Sequence, residues 1–168
     1  MNRPLALTAA AVLTVSWLAL AVSPAYAQRN ADDDLQRWNQ ALDTLAANGM
    51  QHIEEIELTL TGRFDVEAAN AERVEHDLKL SKDGTQVLAS RSDGDIEDVT
   101  EHLSLDQVRA ALGWLQSGGY RNLSEISADD GLLEIQADNA EGRKVELTLK
   151  PGTHELIEME FERRLSLN

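Results

Sequence analysis

The chain has 168 residues, with 15 Lys and Arg against 30 Asp and Glu, no cysteine, and a formal net charge of -15 at pH 7. This acidity disfavours binding to nucleic acid or to an anionic membrane surface, and it favours basic proteins, basic peptides or cations. The lack of cysteine excludes disulfides, thiolate metal sites and a lipid-modified amino-terminal cysteine.

Residues 1–27 are predicted to form a secretory signal peptide. Arg3 precedes an apolar run that extends from Leu5 to Val22, and Ala25-Tyr26-Ala27 is a small-residue cleavage site. An uncleaved membrane anchor is the alternative, because the apolar run is nearly long enough to span a bilayer. We therefore expect an exported protein, periplasmic or else secreted, that is not inserted in the membrane once the signal peptide is cleaved.

Beyond this segment, one pattern of apolar positions and turns occurs twice, roughly seventy residues apart. Its first members are Leu35, Trp38, Leu42 and Leu45 before Gly49, and Leu105, Val108, Leu112 and Leu115 before Gly119. Such internal similarity predicts two structural repeats. We place repeat 1 at residues 28–89, a polar linker at 90–102 and repeat 2 at 103–168.

Each repeat is predicted to begin with a helix, because its apolar residues follow helical spacing and form one stripe. The second helix has a predicted capping box at Ser104 and Gln107, and Gly118-Gly119 is a typical helix end. For the first helix, Asp33 or Asp34 is the expected cap.

After each helix, apolar and polar residues alternate, which predicts strands. Phe64, Val66 and Ala68 are typical of the first repeat, whose last strand is expected near 85–89. Turns at Asn70-Ala71 and at residues 139–142 separate consecutive strands. The predicted fold is therefore α+β: two tandem units, each a helix packed on one face of an antiparallel meander of three or four strands.

Residues 119–126, residues 133–147 and the Gly152-Thr153 turn give the second repeat its resemblance to a PepSY domain. The first repeat looks like a diverged copy, and the tandem is similar to the beta-lactamase-inhibitor type of architecture. Residues 151–154 depart from the usual Asp-x-x-Thr-Gly turn of the family. The resemblance implies a protein-binding module that inhibits or regulates a peptidase and has no catalytic residues.

Strand alternation places acidic side chains on the sheet face away from the helices, where they would form a partner-binding surface. They are Asp65, Glu67, Glu75 and Asp77 in repeat 1, and Glu134, Glu146, Glu158 and Glu160 in repeat 2. A basic segment of another exported protein would relieve their repulsion; the alternative is a solvated face that prevents edge pairing. Trp114 lies off the apolar stripe of its helix, so it is a candidate interface anchor or packs on the other repeat or the linker.

The remaining motifs predict neither catalysis nor a bound cofactor or metal. The four histidines lack the spacing of metal ligands, and residues 93–98 lack two features of a calcium loop. No nucleophile has an identifiable base. We therefore expect an exported module that inhibits or regulates a peptidase or another envelope protein; an acidic cation-binding or sensory accessory protein is the alternative.

Overall fold

The computed structural model describes residues 24–96 and 98–162, without the side chains of residues 24–32. Most of the predicted signal peptide lies outside this part of the chain. Among the described residues, no helix is both long enough and apolar enough to cross a membrane.

The described chain contains two helices and nine strands. The first half consists of α1 (Pro24–Ala47), β1 (Met50–Leu58), β2 (Phe64–Asn70), β3 (Val74–Leu80) and β4 (Val87–Asp95). A 3-10 turn (Val99–Glu101) then leads to β5 (Leu103–Ser104), α2 (Leu105–Gly118), β6 (Arg121–Asp129), β7 (Leu132–Asp138), β8 (Lys144–Leu149) and β9 (Leu156–Phe161). Each helix is followed by a four-stranded antiparallel meander, so the predicted α+β class is confirmed.

The two meanders join edge to edge in one sheet of order β4-β3-β2-β1-β6-β7-β8-β9, with β5 paired to β1. The joint is an antiparallel pairing of β1 with β6, in which Ile56 lies opposite Ile126. Because both isoleucines are fully buried, the joint contributes to the core as well as to the hydrogen-bonded sheet.

Both helices pack on the same face of this sheet. One continuous core contains the apolar stripes of α1 and α2 and the inward residues of the central strands. Trp38 of α1 meets Phe64 of β2 edge to face, with ring centroids 5.2 Å apart, and neither ring is exposed. The helices are also linked by Arg109 Nη2, which donates to Asp43 Oδ1 at 2.6 Å. No helix of the described chain covers the opposite sheet face.

An irregularity in β1 explains how two isoleucines three residues apart both face the helices. Ile53 lies opposite Ala68 and Glu55 lies opposite Glu67, so β1 contains one extra residue at this point. Such a bulge resets the alternation of a strand. It allows Ile53 and Ile56 to enter the core together.

The start of α2 agrees with the cap predicted from the sequence, whereas the start of α1 does not. Ser104 Oγ accepts from the Gln107 amide while Gln107 Oε1 accepts from the Ser104 amide, and Gly119 follows in the left-handed conformation; the predicted capping box is confirmed. The expected cap at Asp33 or Asp34 is wrong, because α1 begins at Pro24. The helix extends towards the N-terminus beyond Leu35, through residues that show no apolar stripe.

The last strand of the first half is longer than predicted. We expected it to end near Ala89, but β4 continues to Asp95 and pairs with β3 along its whole length. Residues 90–95, which the sequence analysis counted in the linker, are therefore strand residues. Their polar character reflects an exposed edge strand. The division into two repeats with a linker remains a prediction.

Candidate functional site: an acidic sheet face

The sheet face opposite the helices carries carboxylates on nearly every strand, and we call this surface the acidic face. Asp65 and Glu67, for example, alternate along β2 with Phe64, Val66 and Ala68, which are buried beneath the helices. The strand registers place the following acids on this face: Glu55, Glu57, Asp65, Glu67, Glu75, Asp77, Glu125, Glu134, Glu146, Glu158 and Glu160. Glu54 joins them, because one of its carboxylate oxygens lies within 4.8 Å of those of Glu67 and Glu75. All eight acids that the sequence analysis named are among them.

Trp114, the ninth predicted site residue, lies elsewhere. Its ring stacks on Tyr120, with centroids 5.4 Å apart and an interplanar angle of 18°, and it packs against the core as a partly buried side chain. Because α2 lies on the other side of the sheet, Trp114 is in the helix layer. It is not part of the acidic face, which corrects the predicted grouping.

The central part of the face was not among the site residues predicted from the sequence. Glu54, Glu55 and Glu57 lie on β1, and Glu125 lies on β6, at the joint between the halves. The alternation of Glu55 and Glu57 with Ile56 and Leu58, and the position of Glu125 beside Ile126, could have indicated that these three point outward. The pairing of β1 with β6 could not be inferred from alternation, so nothing in the sequence grouped the acids of β1 with Glu125.

Several carboxylates of the acidic face lie directly opposite each other on neighbouring strands. Glu55 is opposite Glu67, which is in turn opposite Asp77. Glu57 is opposite Glu125 across the joint, and Glu146 is opposite Glu160. Like charges in such positions destabilise an antiparallel sheet.

Basic side chains neutralise the margin of the acidic face but not its centre. Lys79 Nζ lies 2.7 Å from Asp65 Oδ2, and Arg91 Nε donates to Asp77 Oδ2 at 3.1 Å. Both pairs are exposed and contribute little stability. Within the described residues, no Lys or Arg forms an ion pair with the central acids, Glu55, Glu57, Glu67 and Glu125.

Three of the central acids, Glu55, Glu67 and Glu125, have a raised pKa. Burial raises the pKa of Glu55, and the neighbouring Glu125 and Glu67 raise it further. The pKa of Glu125 is raised first by burial and then by Glu57 and Glu146, and that of Glu67 by burial and then by Glu54 and Asp77. Binding of a proton or of a positively charged group to this face is therefore favoured.

A shallow groove of about 480 Å³ lies over the first-half part of the acidic face. Glu55, Glu57 and Glu67 line it on the side of the joint, and Lys79 and Arg91 line it towards β4. The groove is open, and five of its lining residues are acidic. This shape suits an extended segment of a partner better than an enclosed small molecule.

The family match concerns the second part of the chain. Residues 84–160 match the family described as the peptidase propeptide and YPEB domain, PepSY_2. These residues form a PepSY-like domain. No curated protein matches the chain. The chain is similar to a crystal structure from Clostridium difficile 630, of a protein described provisionally as a lipoprotein, at 13% identity; 72% of this chain and 88% of that chain are covered, with a TM-score of 0.41.

The PepSY-like domain contributes about half of the acidic face. Its match begins at Gly84, in the turn before β4, and it includes α2 and the strands from β6 to β9. Glu125 and Glu134 of the domain both have a pKa raised by burial and then by neighbouring acids. The strands before Gly84 supply the rest of the face, so the complete surface exists only where both halves are joined.

The raised pKa values predict that mild acid stabilises the fold. The folded state raises the pKa of Glu55, Glu67 and Glu125 from the ordinary value of 4.5, so it binds more protons than the unfolded chain between the raised values and 4.5. The unfolding free energy should therefore increase as the pH falls from about 7 to about 5. This increase is lost again as the pH rises through the raised pKa values. Urea unfolding midpoints at the two pH values measure this.

The control for this effect is the variant Glu55→Gln/Glu57→Gln/Glu125→Gln, which should show a flatter pH dependence. Asp83 and Asp98 have lowered pKa values because they accept hydrogen bonds. Their contribution is lost only as the pH falls below the ordinary aspartate value of 3.8. A midpoint for the unaltered protein that falls steadily between about pH 7 and about pH 5 would contradict the prediction.

Proposed function

We propose that this chain is an exported, non-catalytic binding protein whose acidic face holds a basic segment of another envelope protein, with a peptidase as the first candidate. The family description, a peptidase propeptide domain, supports the choice of a peptidase. The predicted signal peptide supports export to the periplasm or beyond.

The main support for this proposal is the pair of carboxylate rows at the joint between the halves. Glu55 faces Glu67 and Glu57 faces Glu125, and no Lys or Arg of the described chain pairs with any of these four. This arrangement costs stability in the free protein. Lys or Arg side chains of a partner would remove that cost and form ion pairs, so partner binding accounts for a surface that folding alone disfavours.

The shape of the face defines the kind of partner. Successive strands are about 4.8 Å apart, so the carboxylates form a regular array. An array of negative charges increases the rate of association with a positively charged partner and selects against acidic partners. The groove beside Glu55 and Glu67 adds a shallow concave contact. We therefore propose that the partner offers an exposed, extended segment in which basic residues recur.

The test of this proposal removes the three charges nearest the joint, in the variant Glu55→Gln/Glu57→Gln/Glu125→Gln. The probe is a short synthetic peptide in which lysine alternates with threonine, titrated calorimetrically at about 0.15 M ionic strength. An exposed ion pair contributes about 0.5 kcal/mol, so the loss of three should weaken binding about tenfold. The same peptide with glutamate in place of lysine should not bind to either protein.

A matched control removes three charges that lie away from the acidic face, in the variant Asp33→Asn/Glu72→Gln/Asp130→Asn. These side chains are exposed, on α1 and on two turns, and the change in net charge is the same. The control should bind the lysine peptide nearly as tightly as the unaltered protein. Equal weakening in the two variants would show that net charge, and not this face, attracts the peptide, and the proposal would be wrong.

The peptidase part of the proposal requires a second measurement. The unaltered protein and the variant Glu55→Gln/Glu57→Gln/Glu125→Gln are used in parallel to capture proteins from envelope extract. A captured peptidase should be retained by the unaltered protein, be lost with the variant, and be slowed when the unaltered protein is added to its assay. A peptidase whose rate does not change on addition would exclude inhibition of that enzyme.

A further inference from the structure

The two outer strands of the sheet, β4 and β9, differ in how well they resist the addition of another strand. β4 is polar from Ser90 to Asp95, its pairing with β3 is irregular at two points, and it contains Gly94 with φ +128. Polar and irregular edges are poor templates for a further strand. β9 has one irregularity, near its start, and contains neither glycine nor proline. It is therefore the more receptive edge.

Three of the five large apolar side chains that the described chain exposes lie on β9. Leu156, Ile157 and Phe161 are 43%, 48% and 47% exposed. Leu156 lies opposite Leu149 of β8, and Phe161 lies opposite Val145. Because both β8 residues are buried in the core, Leu156 and Phe161 are on the helix side of the sheet. They form an apolar strip at the rim of the core.

The backbone of β9 offers hydrogen-bonding groups along the same edge. The Glu162 amide donates to the Lys144 carbonyl of β8 at 3.2 Å. In an antiparallel pair, alternate residues bond to the neighbouring strand, and the residues between them direct their N–H and C=O groups the other way. Met159 and Phe161 therefore direct these groups away from β8. No strand of the described chain pairs with β9 on that side.

The charges of β9 oppose pairing with a second copy of the same strand. Glu158 and Glu160 lie on the acidic face. If two β9 strands paired antiparallel about Glu158, Met159 or Glu160, glutamate would lie opposite glutamate in every case. Like charges in such positions are destabilising. The same glutamates attract a strand that carries Lys or Arg at these positions, so they select the partner as well as excluding the copy.

We propose that β9 binds an extended segment of another protein as an added strand, and that basic and apolar residues alternate in this segment. Its basic side chains lie on the acidic face, where Glu160 and Glu146 already oppose each other. Its apolar side chains cover Leu156 and Phe161 on the helix side. Main-chain hydrogen bonds to Met159 and Phe161 supply affinity, and the alternating side chains supply specificity.

This edge is a second binding surface, separate from the central acids. β9 lies three strands beyond β6, which carries Glu125 at the joint. At the usual strand spacing this distance is about 14 Å. The edge uses none of Glu55, Glu57 and Glu125, so failure of either proposal leaves the other standing.

The experiment adds a synthetic peptide, in which lysine alternates with valine, to the ¹⁵N-labelled protein. Hydrogen exchange of single amides is then followed by NMR. The amides of Met159 and Phe161 should exchange at least about tenfold more slowly with saturating peptide, because they become hydrogen-bonded. The amide of Glu162, which already donates to Lys144, should change little. This measurement needs only the unaltered protein.

A charge reversal tests the choice of a basic segment. The variant Glu158→Lys/Glu160→Lys should bind the lysine–valine peptide about tenfold more weakly, and should instead bind the same peptide with glutamate in place of lysine. The matched control, Glu72→Lys/Asp130→Lys, changes the net charge equally at two exposed turn residues. It should bind the lysine–valine peptide nearly as the unaltered protein does, and so should Glu55→Gln/Glu57→Gln/Glu125→Gln.

Three results would overturn the assignment. The first is failure of the lysine–valine peptide to bind, or binding that leaves the exchange of Met159 and Phe161 unchanged. The second is equal weakening in the reversal variant and its matched control. The third is slow exchange of these two amides in the free protein. A doubled mass in sedimentation equilibrium would then identify a second copy on β9, and a single mass another segment of the same chain.

Discussion

The substitution Gly84→Ala is expected to lower the free energy of unfolding by about 3 kcal/mol, a loss typical of backbone strain combined with a steric clash. Gly84 has φ +74, a conformation that favours glycine. A Cβ at this position would lie 2.7 Å from both the Ala41 amide nitrogen and the Arg37 carbonyl oxygen of α1. Backbone atoms of a packed helix cannot move aside as a flexible side chain would.

The turn that contains Gly84 is also held against α1 by hydrogen bonds. Thr44 Oγ1 donates to the Gly84 carbonyl at 2.6 Å, and Arg37 Nε donates to the Lys82 carbonyl at 2.7 Å. Relief of the clash would therefore require breaking these contacts. The turn therefore helps to fix the position of α1 over the sheet, together with the packing of Trp38 on Phe64.

The second half supplies a matched control at Gly152, which follows Pro151 in the turn before β9. Its φ of +83 is as positive as that of Gly84, but a Cβ added there would meet nothing within 4 Å. Gly152→Ala should therefore cost only the backbone strain, about 1 kcal/mol. Urea unfolding of both variants measures the difference. Equal losses would show that the contact with α1 does not matter.

The substitution Ile56→Ala should lower the free energy of unfolding by about 3 kcal/mol, because it removes a buried side chain and leaves a cavity. Ile56 is fully buried and lies opposite Ile126, across the joint between the halves. The core is continuous on both sides of this pair. The loss should therefore appear throughout the molecule rather than in the first half alone.

Hydrogen exchange measured by mass spectrometry tests this distribution. Amides of β2 and of β7 should lose the same amount of protection in Ile56→Ala, since they belong to one cooperative unit. Leu88→Ala is the control, because Leu88 lies on the edge strand β4 and is 49% exposed; it should change both regions little. Faster exchange in β2 with unchanged exchange in β7 would show that the halves unfold separately.

Local features of the sequence were sufficient to predict much of the fold. Apolar residues at helical spacing, followed by alternation, defined both helices and the class of the sheet. Asn70 and Asn139 indicated equivalent turns, and in the structure each side-chain oxygen accepts from the backbone amide four residues later. Outward alternation placed eight acids on one face. All of these depend on contacts within a few residues, which is why one sequence reveals them.

Other features depend on which strands become neighbours. The alternation of β1 shows that Glu57 points outward, but not that Glu125, far along the chain, lies opposite it. A strand edge offers the same backbone groups to any partner, so its sequence does not name that partner. The proximity of His102 to Glu54 has the same origin, since β5 pairs with β1. The sequence by itself determined two helix-backed meanders with acidic outer surfaces; only the tertiary structure, through edge-to-edge hydrogen bonding and a shared core, decided that they form one sheet and which charges meet on it.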